Sequence, residues 1–171
     1  MSLSFVVENY PAFLGTEAPP FLASLVSTLV HHPPRSPSLQ SAMFTCVRQF
    51  TKVSHPDRIA TASEEILIAY YEKPAIDEDE RGVLAALLLQ LINGSAEKDL
   101  GDSTWCRFLE VSYVGSFDPC VKVAELWGKV FTEALGGSTH GTKLAALSAT
   151  LKAVISVAKA LLRELSWARR G

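Results

Sequence analysis

Ser36-Pro37-Ser38-Leu39-Gln40-Ser41-Ala42-Met43-Phe44-Thr45-Cys46-Val47-Arg48-Gln49-Phe50 carries both the start and the buried face of a helix. Leu39, Met43, Cys46, Val47 and Phe50 recur at steps of three and four or their sums, which stacks them on one helical face. Pro37 fits the first turn, where its missing N–H has no intrahelical acceptor to lose, and Ser36 offers an N-cap oxygen. Three more of the nine prolines repeat the arrangement. Pro20 opens Phe21, Leu22, Leu25, Val26 and Leu29, and Pro56 and Pro119 open two later stretches. Outward from these starts, the periodicity predicts helices over about 20–31, 37–53, 56–72, 78–93, 104–113, 119–135 and 140–168. None of these stretches alternates with period two, so the fold class is all-α. The segment from Ser2 to Leu14 is interrupted by Pro11 and reads as a short helix breaking near Asn9.

Further boundary signals agree. Ser54 with Asp57, and Asp118 before Pro119, read as N-caps. Asp77-Glu78-Asp79-Glu80 opens a helix, where negative charge complements the macrodipole. Four consecutive carboxylates point in different directions around a helix, so they read as a solvated start and not a cation site. Gly94 and Gly136-Gly137 end two helices, Gly94 by a left-handed turn. The acceptor pattern Asn93-Gly94-Ser95 is accordingly a helix end rather than a glycosylation site. Residues 94–103 form a polar loop.

With 171 residues, 48% of them apolar, the chain can bury a core without metal or disulfide, and residues 1–171 read as a single all-α domain. The net charge is −2, yet the charges are sorted. Residues 57–118 carry thirteen acids against five bases, whereas 139–171 carry six bases against Glu164 alone. The two regions either pack together or solvate their own faces, or the basic end meets an acidic partner. Cys46, Cys106 and Cys120 are odd in number and lack C-x-x-C spacing, as expected of a reduced compartment. The start Met1-Ser2-Leu3-Ser4-Phe5 has no basic region of a secretory signal. Both features predict an intracellular protein, cytoplasmic or nuclear.

The last helix is the longest. Leu144, Leu147, Leu151, Val154, Ala158, Leu161 and Leu165 alternate steps of three and four, the seam of a helix packed nearly parallel to a neighbour, and Ile155 and Leu162 widen it. Ser148, Lys152, Ser156, Lys159 and Arg163 make a narrow polar line with alanines beside it. Such a helix is either buried on most sides or awaits a partner, with its end through Trp167, Arg169 and Arg170 reaching outward. Lys152 and Lys159 interrupt the apolar run and exclude a transmembrane segment. The thin polar face argues against a helix lying on a membrane.

No catalytic constellation assembles. His31-His32 precedes Pro33-Pro34 at a helix end, His55 precedes Pro56, and His140 sits in a glycine-bounded turn; there is no H-E-x-x-H, C-x-x-C or G-x-S-x-G. Cys46, imaginable as a nucleophile beside His31 or His32, lies on an apolar stripe where a thiol is inert. Gly136 to Lys143 has the ingredients of an anion nest but lacks a preceding strand, and reads as a helix connection. Nucleic-acid binding lacks basic residues interleaved with aromatics. Arg35-Ser36-Pro37-Ser38 suits a proline-directed kinase, although capping accounts for it. No catalytic residue, metal or cofactor is expected, and the protein reads as a non-enzyme.

Helix starts near 20, 37, 56 and 78 repeat every 17–22 residues, and in this spacing residues 20–135 resemble the HEAT and armadillo class of helical repeats. That resemblance implies an α-solenoid scaffold; a compact multi-helix bundle is the alternative. The string Glu125-Leu126-Trp127-Gly128-Lys129-Val130-Phe131 resembles the first homology region of Bcl-2 relatives, which implies a groove for an amphipathic partner helix. It is also similar to an early helix of globins, but no histidine pair is placed to hold haem. The leading expectation is a noncatalytic protein-interaction or scaffold domain of a larger intracellular complex, cut from a longer protein. Lys152, Lys159, Arg163 and Trp167 are its candidate partner-binding residues, facing an amphipathic helix or an acidic surface. A Bcl-2-like groove comes second and an unidentified enzyme third.

Overall fold

The structure, a computed structural model, describes residues 18–72, 77–96, 98–137 and 140–170, and every regular element among them is helical. In chain order these are α1 Ala18–His31, α2 Pro37–Val53, α3 Pro56–Glu72, α4 Glu78–Gly94, α5 Asp102–Gly115, α6 Val121–Gly137 and α7 His140–Arg170. The Ser2 to Leu14 segment lies outside the described residues, as do Ser138 and Thr139 of the expected glycine-bounded turn.

The Ser36 cap is as the sequence predicts, its hydroxyl accepting the Leu39 N–H at 3.4 Å. Asp77, read only as part of an acidic helix start, is also an N-cap, its Oδ1 accepting the Glu80 N–H at 2.9 Å. The other two expected caps differ. Ser54 is the C-cap of α2, buried, with its hydroxyl donating to the Phe50 carbonyl at 2.7 Å; His55 instead supplies the carbonyl that starts α3. Asp118 lies two residues before Cys120, whose carbonyl receives the first helical N–H of α6, so that helix begins at Val121 and not at Pro119. Gly94 makes no left-handed turn, since Gly101 is the glycine with positive φ among the described residues. A Cβ on Gly94 would stand 2.6 Å from Thr51 Cβ and 2.7 Å from the Arg48 carbonyl oxygen. Glycine is there because α4 approaches the α2 backbone closely, not for its conformational freedom. Gly101, at φ 79°, opens α5 with its own N–H on Asp99 Oδ1.

The helices arrange in two rows. α2, α4 and α6 pack in succession, α1 packs against α2, α3 and α4, α3 against α4, α5 against α6, and α7 against α5. An ion pair between Glu64 and Arg107 links α3 to α5, completing the second row of α1, α3, α5 and α7. Each amphipathic helix except α7 thereby buries its stripe against its neighbours in these rows, the two-layer solution to helix burial. Phe50, Ile59, Ile66, Leu88, Phe108 and Trp127 are all fully buried. α4 is the most enclosed, with Val83, Leu84, Ala85, Leu87, Leu88, Leu91 and Ile92 inside. Not every striped residue is covered: Leu39, in the first turn of α2, stays exposed, and Phe21 lies half out, its ring stacked on Phe50 at 5.7 Å.

Candidate functional site

α7 is the exception to this pattern of burial. Its 31 residues make a rod of about 46 Å. Only Ala149 and Thr150, among its described side chains, are partly covered, and from Leu151 to Arg170 every side chain is exposed. The seam therefore faces water: Leu144, Leu147, Leu151 and Val154 near the body, then Leu161 and Leu165, with Ile155, Val157 and Leu162 beside them. Leu151 is 61% exposed and Leu162 65%. Val157 falls outside the three-four repeat, which is why periodicity alone does not flag it.

The four residues expected to bind a partner lie along one strip of this rod. Lys152, Lys159, Arg163 and Trp167 follow at steps of seven, four and four, so helical geometry keeps them on one side, the side turned away from the seam. All four are exposed, Trp167 at 80%. Ala149, Ala153 and Ala160 lie on that same side, beside the strip. The rod thus has a broad apolar face and, turned away from it, a narrow basic line flanked by alanines. Val114, Phe117 and Val121 add exposed apolar surface at the turn between α5 and α6.

Elsewhere the polar groups serve structure. Arg81 of α4 donates through Nε and Nη2 to the two Asp118 oxygens at 2.7 and 3.1 Å, and the Cys120 N–H donates to Oδ1 at 2.8 Å. The bond from Arg81 holds the Asp118 carboxyl below its usual range, against the opposing effect of burial. This clamp fixes the α5–α6 turn to α4; its partners are 37 residues apart, and no local sequence signal joins them. His31, at the end of α1, places Nε2 2.9 Å from Glu65 Oε1 and ties α1 to α3. Cys46 is buried, and burial pushes the Cys106 thiol up, away from thiolate chemistry.

A groove of about 860 Å³ runs beside the starts of α2, α4 and α6, with Phe44, Val83 and Leu126 on its walls and Asp77 to Glu80 at its rim. Asp77 is already committed to its cap. Among the described residues, no three His, Cys, Asp or Glu side chains converge as a metal site, and no helix is long and apolar enough to cross a membrane. Trp127, the centre of the string resembling Bcl-2 relatives, is fully buried, with Tyr70 edge-on at 5.1 Å and Gly115 leaving room for its ring. No protein-family model, no curated protein and no solved structure matches this chain.

Proposed function

We propose that this protein is a noncatalytic interaction domain, a HEAT- or armadillo-like scaffold that presents α7 to a protein partner within an intracellular complex. The observation that carries the reading is the exposure of α7 along its length. Most helical stability in proteins comes from packing an apolar face rather than from intrinsic propensity. A helix that is apolar around most of its girth belongs in a buried place. The two-row order of the other helices supports the scaffold reading, because stacked helical repeats bury their stripes between such rows. The basic line of Lys152, Lys159 and Arg163 supplies electrostatic selection of an acidic partner, and Trp167 an aromatic anchor.

Affinity capture from a cell lysate tests this, comparing the native chain with a Lys152→Glu, Lys159→Glu, Arg163→Glu variant of unchanged circular dichroism. A stoichiometric partner held by the native chain and lost by the variant is the expected result. Retention by both, or no partner for either, overturns the assignment of the basic line.

A further inference from the structure

The seam of α7 has an occupant that its own chemistry specifies. We infer that a second copy of this chain covers it, the two α7 helices lying parallel, seam against seam. This rests on the reading of α7 as the docking element and names what fills its apolar face, leaving the basic line outward for another protein.

Three observations carry the inference. The first is extent. Nine large apolar side chains of α7 are exposed, from Leu144 to Leu165. At roughly 90 Å² of apolar surface each, they place on the order of 800 Å² on one helix, about what each partner contributes to a stable interface. The second is pattern. Leu144, Leu151, Ala158 and Leu165 occupy the a positions of a heptad, and Leu147, Val154 and Leu161 the d positions, the repeat that seats knobs into the holes of a like helix. The third is charge. A helix this basic repels its own copy if its charges flank the seam, but Lys152 and Lys159 stand at b and Arg163 at f, all outside. In the parallel alignment each g position meets the e position five residues further along the partner. Thr150 then meets Ile155, Val157 meets Leu162, and Glu164 meets Arg169, so the flanks are apolar or opposite in charge and never alike. From Leu151 onward every side chain of this helix is exposed, so no described residue of the body stands against the seam there.

An anionic membrane is the competing occupant, and α7 fits it less well. The side opposite the seam mixes Ala149, Ala153 and Ala160 with the narrow line of Lys152, Lys159 and Arg163, whereas an interfacial helix keeps a broad, strongly polar face in water.

Sedimentation equilibrium of the full chain at about 100 μM, well above a micromolar Kd, tests the pairing. The expected result is twice the mass of one chain for the native protein and for Lys152→Glu, and a single-chain mass for Leu151→Glu and for Leu161→Glu. Both leucines are more than half exposed, so the charge does not disturb the core of the body. Leu165→Cys chains cross-link to dimers under mild oxidation in the parallel arrangement, beyond any background from the native chain. A native chain that stays monomeric, a dimer that Leu151→Glu leaves intact, or a dimer that Leu165→Cys fails to cross-link overturns the inference. A monomer that binds vesicles of anionic phospholipid through the same leucines overturns it in favour of a membrane. A monomer whose basic line still captures an acidic partner refutes the second copy alone and leaves the interaction domain standing.

Discussion

Arg81 and Asp118 make a clamp in which the Asp118 side chain, 7% exposed, carries its charge. Replacing Arg81 with Met leaves that carboxylate without its bidentate donor, and the expected cost at pH 7 is about 2 kcal/mol, read as a lower urea midpoint. The sign with pH follows from the lowered Asp118 pKa. A group whose folded pKa is depressed contributes stability above its unfolded value and loses it as pH falls through the folded one. The gap between native and Arg81→Met chains therefore holds at neutral pH and narrows below about pH 4. Gly94→Ala is expected to destabilise by about 2 kcal/mol in the same assay, because its methyl group meets the Arg48 carbonyl and Thr51 Cβ, neither of which is a flexible tip. The sequence marks Gly94 as a helix end but holds no sign of the close approach, since the residues it meets lie on another helix.

At the scale of elements, local chemistry was highly legible. The α2, α3 and α4 starts agree with the sequence reading, because prolines, caps and acidic first turns act within four residues of one another. Ser36→Ala is expected to remove about 1 kcal/mol through the α2 N-cap, checked by thermal melting followed by circular dichroism. Where the reading missed, a nonlocal contact prevailed: Asp118 turned to Arg81, and burial of Ser54 between α2 and α3 directed its hydroxyl to Phe50. In the loop 94–103, read as merely polar, Ser95 and Leu100 are buried, so it belongs partly to the core. The α7 seam was visible as a pattern, but the pattern alone fits a buried helix as well as an uncovered one.

For the whole molecule, six helices share a core and the seventh leaves it. A chain ending at Gly137 is therefore expected to melt within about 4 °C of the full chain at low concentration, because α7 buries little of itself against α5. At high concentration the full chain gains stability from self-association and the shortened chain does not, so only the full chain has a melting temperature that rises with concentration. Scanning calorimetry over a range of concentrations checks both statements.

The sequence by itself determined the all-α class, the places where helices begin and end, and the stripe each must bury, because those depend on periodicity and on groups a turn apart. Only the tertiary structure decided which stripes are satisfied. Cys46, Val47 and Phe50 of α2 and Leu144, Leu147 and Leu151 of α7 each lie on one apolar helical stripe, yet the first set is buried and the second lies in water. Burial is a property of what stands opposite. α2 has α1 and α4 across from it, while along the seam of α7 beyond Thr150 no other described residue of this chain stands.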